Sequence, residues 1–266
     1  MTTDFTGGGD PRRSIELLWG LSPGLAPGEK TRPGPKPRFT VAEIAASAIA
    51  IADTDGLAAL SMRKVAERVG VSAMSLYTYV PGKAELIDLM LDTVLAEVSL
   101  TFDGAADWRT RLERVARENW QLYLRHPWLL QVATSRPPLG PHLIAKYDHE
   151  LRAIDGIGLD DVEMDLVVQL IGDYVHGAAR SAVSATLVAQ RTGLTDEQWW
   201  EQAGPVLEQV LDPAATPTAT RVGAAAGEEY NAAGDPARAF DFGLRCLLDG
   251  VAARISPDRD PGGRSR

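Results

Sequence analysis

The sequence predicts an all-α protein, and three observations carry that expectation. From Thr40 onward apolar residues recur at spacings of three and four, the period of a helix buried on one face. Capping residues and glycines stand where helices should begin and end. No segment alternates apolar and polar residues with the period of two that a half-buried strand requires.

The elements follow in order. Residues 1–37 are rich in Pro and Gly and predict a flexible arm. Within it, "SIELLWG" (14–20) is an apolar island able to form one helical turn and dock. "TRPGPKPR" (31–38) is basic and stiffened by proline; it reads either as a solubilising linker or as an arm following DNA. "TVAE" is a capping box: Thr40 caps a helix and Glu43 reaches back. Val41, Ile44, Ala45, Ala48, Ile51 and Ala52 form its buried stripe, and "DTDG" closes it at Gly56. Ser61 opens a second helix and Ser72 a third, with Gly70 in the turn between them. "KAELIDLMLDTVLAEV" (83–98) is a fourth. Residues 107–127 place Trp108, Leu112, Val115 and Leu122 on one stripe, and 160–190 are apolar around most of their circumference. Residues 212–236 are mostly Ala, Gly, Pro and Thr and predict a flexible insert. Residues 237–255 line up Phe240, Leu244, Leu248 and Val251 as an apolar face suited to a dimer seam, and 256–266 predict a disordered tail.

Charge divides the chain. Its formal net charge is −9 over 266 residues, yet residues 30–83 hold eight Lys or Arg against four Asp or Glu. A small basic module joined to an acidic body suits a head that binds a polyanion. The single Cys excludes a disulfide framework and a Cys-based zinc site. The four His residues show no metal-ligand spacing, so neither metal nor cofactor is expected. "SMRK" (61–64) lacks the companion motifs of a serine acyl enzyme, and Ser61 serves better as a helix cap. Without a signal-like h-region or an apolar run of roughly 18–20 residues, the expectation is a cytoplasmic protein with no membrane partner.

Ser61–Val80 therefore reads as a helix-turn-helix. Ala66 sits where the two helices cross, and Val65, Val69, Val71, Leu76 and Val80 form their shared core. The outward residues Ser72, Ala73, Met74, Ser75, Tyr77, Thr78 and Tyr79 are small, hydroxylated or aromatic, which suits a helix lying in the major groove. Arg38, Thr40, Ser61, Arg63 and Lys83 flank it as candidate DNA contacts. Lys83 opens the next helix, where its ammonium and the backbone N–H groups can share one phosphate.

Residues 38–90 resemble the tetracycline-repressor (TetR) family of bacterial regulators. "D-x-x-G-L-x-x-L-S-M", "V-A-x-x-x-G-V" and "L-Y-x-Y-V-x-x-K" occur in that order and spacing. The resemblance continues more loosely through "WRTRLERVARENWQLYLRHP" and "TSRPP". It implies a helix-turn-helix domain over 38–98 and a helical dimerisation and effector-binding domain over 99–255. It also implies a homodimer on double-stranded operator DNA, released by a small-molecule effector. A ligand-independent DNA binder and an all-helical enzyme stand as alternatives. Asn119, Trp120, Tyr123, His126, Trp128, Tyr174 and His176 read first as ordinary core and second as candidate effector residues. The tetracycline-binding members hold a chelated Mg²⁺ through a histidine. "LLQVATSRPP" (129–138) and "LAEVSLTF" (95–102) contain none, which implies a mostly apolar effector bound without metal.

Overall fold

A computed structural model describes residues 4–21, 39–102, 104 and 106–255. The arm's basic stretch with Arg38, and the tail 256–266, lie outside the described residues. The chain divides into two compact units, Met1–Leu170 and Ile171–Arg266.

The first helix of the first unit is the short α1 (Pro11–Leu18). Its three-helix head consists of α2 (Val41–Asp55), α3 (Met62–Val69) and α4 (Ala73–Tyr77). Thr40 and Glu43 close the expected capping box on α2. Helix α5 (Lys83–Leu95) leads out of the head toward α6 (Trp108–Arg125), a 3-10 turn at Pro127–Gln131, and α7 (Pro141–Arg152). One hydrophobic cluster runs through the head and α5 to Leu122, Trp128, Leu129 and Val132.

The flexible-arm expectation does not hold for residues 4–21. Asp4–Phe5 (β1) pairs in parallel with Val132–Ala133 (β2), and α1 follows it. The reason lies on α5. Its outward stripe carries Glu85, Asp88 and Asp92, all buried. Asp88 accepts from the Gly7 N–H at 3.0 Å and from the Ser14 hydroxyl at 2.9 Å, and Glu85 accepts from the Asp10 N–H at 3.2 Å. Buried carboxylates need such donors, and the N-terminal segment supplies them. Asp92 does the same for α7, whose N-cap Gly140 has no side chain to offer: it accepts from Leu143 N–H and His142 Nδ1, each at 2.9 Å.

In the second unit, the rest of α8 (Asp161–Thr192) is followed by α9 (Asp196–Val210), α10 (Pro217–Tyr230) and α11 (Pro236–Ile255). The flexible-insert expectation for 212–236 fails at α10. One of its small residues serves packing: a Cβ at Gly227 would sit 2.8 Å from Cζ2 of Trp200. The apolar face of α11 is also corrected. Phe240, Leu244, Leu248 and Val251 are already buried within the single chain, so they are not available as a dimer seam. The large apolar residue that α11 exposes is Phe242, and α8 exposes Leu166, Leu170, Leu187 and Val188.

Candidate nucleic-acid interface and the polar groups behind it

The head's presentation of α4 follows from local chemistry. Ser61 caps α3 by accepting from the Lys64 N–H. Gly70 ends it at φ +81°, ψ 35°, and the Val71 N–H returns to the Ala66 carbonyl at 2.9 Å, closing the left-handed turn. Ser72 then caps α4 by accepting from the Ser75 N–H at 3.1 Å. Ala66, Leu76 and Val80 are buried, which fixes the face that α4 turns outward.

That face is narrower than the sequence suggests. Met74 is 77% exposed and Tyr77 47% exposed. Ala73 is half-buried against the core. The Ser72 and Ser75 hydroxyls lie 2.8 Å apart and the Thr78 hydroxyl donates to the Ser75 carbonyl, so all three already serve the helix. Tyr79 is half-buried with its ring 4.8 Å from that of Phe39. On the flanks, Arg63 is exposed beside Glu67 at 3.5 Å, and Thr40 caps α2. Lys83 stands at the first position of α5, after an N-cap glycine without a side chain, and pairs with Asp4 at 3.0 Å.

The candidate effector residues separate into three groups. Asn119 and Trp120 are buried on α6. Asn119 donates to Glu150 Oε1 on α7 at 2.8 Å, and Lys146 pairs with the same carboxylate. Beside them His149 is 1% exposed and stacks on Phe102 with centroids 4.0 Å apart. Neither of its ring nitrogens has a hydrogen-bond partner among the described residues, and burial pushes its imidazole below the ordinary range. A buried imidazole without partners is costly to leave so, and it suits a ligand that supplies them. The second group, His126 and Trp128, is drawn away to Asp53 in the head, and Tyr123 packs on the same core cluster. The third, Tyr174 and His176, belongs to the second unit. There the Tyr174 hydroxyl donates to the carbonyls of Ala239 and Phe240, and burial lowers the His176 imidazole.

Sequence reasoning misses Glu150, His149, Lys146 and Phe102. The available signal is an adjacent His and Glu on the inward side of α7. A groove of about 590 Å³ opens between the end of α5 and α6, lined by Ser99, Arg114, Arg117, Glu118 and Gln121 among others. Most of its lining residues are charged, among them Arg114, Arg117 and Glu118. No helix among the described residues is long and apolar enough to cross a membrane.

Two family descriptions match this chain: bacterial regulatory proteins of the tetR family over residues 44–90, and the tetracyclin repressor-like C-terminal domain over 102–255. The chain is 42% identical over 259 residues to the HTH-type transcriptional repressor DrrR1 of Streptomyces coeruleorubidus, covering 97% of this chain and 92% of that one. It is 27% identical over 201 residues to the class A tetracycline repressor from transposon 1721 of Escherichia coli, covering 75% and 84%. Among solved structures, apo ActR from Streptomyces coelicolor superposes with a TM-score of 0.67 at 26% identity, covering 82% of this chain and 97% of that one. ActR has also been solved in complex with actinorhodin.

Proposed function

This chain belongs to the tetracycline-repressor (TetR) family of bacterial transcriptional regulators, and from that premise we propose a homodimeric repressor that leaves its operator DNA when a small organic effector binds. The observation that carries the reading is the α3–α4 pair, held by Ser61, Gly70 and Ser72 so that Met74 and Tyr77 face outward. On DNA, α4 enters the major groove. Met74 offers methyl contact to a thymine, and the Tyr77 hydroxyl and the Lys83 ammonium bind phosphates. Lys83 sits at a helix N-terminus, where uncapped N–H groups favour the same anion. Arg63 and Thr40 flank the groove. Thr78, whose hydroxyl already donates to the Ser75 carbonyl, reaches bases as an acceptor, whereas the Ser72–Ser75 pair keeps one hydroxyl hydrogen to donate, and Tyr79 acts through its packing on Phe39.

The dimer forms through the exposed apolar side chains of α8 and α11, Phe242 foremost. The effector binds beside Asn119, Glu150 and His149. It is a planar organic molecule with hydrogen-bonding groups at its edge, able to stack near Phe102 and to partner the His149 ring. That ActR is solved with actinorhodin supports a small-molecule effector. The protein works in the cytoplasm, on operator DNA.

The test is selection of bound sites from random duplexes with the purified full chain. An inverted repeat with half-sites about one helical turn apart is the expected product. Titration of that complex with planar aromatic compounds and with Mg²⁺–tetracycline then follows. Failure to enrich any site would overturn the DNA-binding reading. Release by Mg²⁺–tetracycline at micromolar concentration, abolished by EDTA, would overturn the effector reading.

A further inference from the structure

His126 stands at a junction of three elements. It is the C-cap residue of α6 and is buried. Its Nδ1 lies 2.8 Å from Oδ1 of Asp53, in the last turn of α2, and its Nε2 lies 3.1 Å from Oε1 of Glu97, just beyond α5. Each ring nitrogen therefore faces a carboxylate oxygen within hydrogen-bond distance. The Trp128 indole N–H donates to the same Asp53 oxygen, Nε1 lying 2.9 Å from it. Arg125 holds the other oxygen of Glu97 at 3.2 Å. The set joins the head's first helix to the end of α5 and to α6.

We propose that the Asp53–His126–Glu97 clamp sets the angle at which each DNA-binding head is held, and thereby the half-site spacing that the dimer accepts. The inference rests on the reading of a dimer on a two-fold operator. Covalently, the head continues into α6 and α7 only through α5, and one helix can pivot. The head also packs on Leu122, Trp128 and Leu129 through the shared apolar cluster; apolar packing is non-directional, and the polar contacts at Asp53 add a directional attachment that limits the pivot. The lever is long: α2 has 15 residues, about 22 Å at 1.5 Å per residue. A 10° turn of a body that size moves its far side by about 4 Å, close to the roughly 3.4 Å rise of one base pair. The contacts are only part-buried, so their net stabilisation is small, and the better-attested contribution of such polar sets is to fix one arrangement among several. His126 is thus a positioning residue, which touches neither DNA nor effector.

The experiment uses the full-length dimer and the selected operator, with its centre shortened or lengthened by one and two base pairs. Fluorescence anisotropy gives the affinity for each spacing. The wild type should discriminate between spacings by at least tenfold. His126→Phe, which fills the space but donates no hydrogen bond, should reduce that discrimination at least fivefold. Its affinity for an isolated half-site should stay within twofold, a pattern that simple destabilisation does not produce. Should His126→Phe fail to fold, Glu97→Ala, at the exposed end of the clamp, decides the matter by the same measure. Variants that fold and keep the wild-type spacing preference would overturn the clamp. A wild type that binds every spacing equally would overturn the dimer–operator reading beneath it instead.

Discussion

Gly70→Ala isolates what the turn of the helix-turn-helix requires. Gly70 holds φ +81° and ψ 35°, and a Cβ built there meets no atom within 4 Å. The substitution therefore introduces neither a clash nor a cavity. Its cost is the left-handed backbone alone, about 1–2 kcal/mol for an L-residue with a Cβ. Asparagine tolerates that region better, so Gly70→Asn should cost less. The strain falls on a turn held by the Val71 N–H to Ala66 carbonyl bond, so the response should be local. A shift of about 1–2 kcal/mol raises the open population roughly 5- to 30-fold. Native-state hydrogen exchange of the amides in α3 and α4 measures it directly, with α9 amides as the control. Equal exchange in glycine and alanine proteins would refute the reasoning. So would an asparagine variant as labile as the alanine one, because the cost would then not lie in the left-handed conformation.

Lys83→Ala should weaken operator and unrelated DNA alike and reduce the slope of log K against log salt by about 0.9 for each phosphate that the ammonium neutralises; an unchanged slope would remove Lys83 from the DNA. Asp88 predicts a pH dependence. Burial pushes its carboxyl up, against the opposing hydrogen bonds from Gly7 and Ser14. A raised folded-state value means that its contribution to stability is complete below the unfolded value of about 3.9 and is lost as pH rises through the folded one. Thermal unfolding of Asp88→Asn, which keeps an acceptor toward the Gly7 N–H, should gain on the wild type as pH rises from about 4 toward neutrality; parallel curves would contradict this. Finally, Phe242→Glu should give a folded monomer by sedimentation, because Phe242 is 64% exposed, whereas Leu244→Glu should unfold the second unit, because Leu244 is 1% exposed; a dimeric Phe242→Glu protein would rule out the seam at that residue.

The sequence by itself determined whatever rests on bonds within a few residues. The capping box of Thr40 and Glu43, the caps at Ser61 and Ser72 and the left-handed Gly70 all form as their residues demand, because each bond spans three to five positions. The family could also be read there, since the helix-turn-helix is made of these local rules. Tertiary structure decided where donors and acceptors far apart in the chain meet. Nothing in the local sequence marks Asp88 on α5, but Gly7 and Ser14, 81 and 74 residues earlier, supply its hydrogen bonds and tie residues 4–21 to it. His126 and Trp128 lie in sequence among the effector candidates, but Asp53, 73 and 75 residues before them, draws both to the head. The face of α11 shows that it must be buried, not by what, and Phe240 and Leu244 are covered within their own chain. Periodicity states that a side chain must leave water; only the packed chain determines which partner takes the water's place.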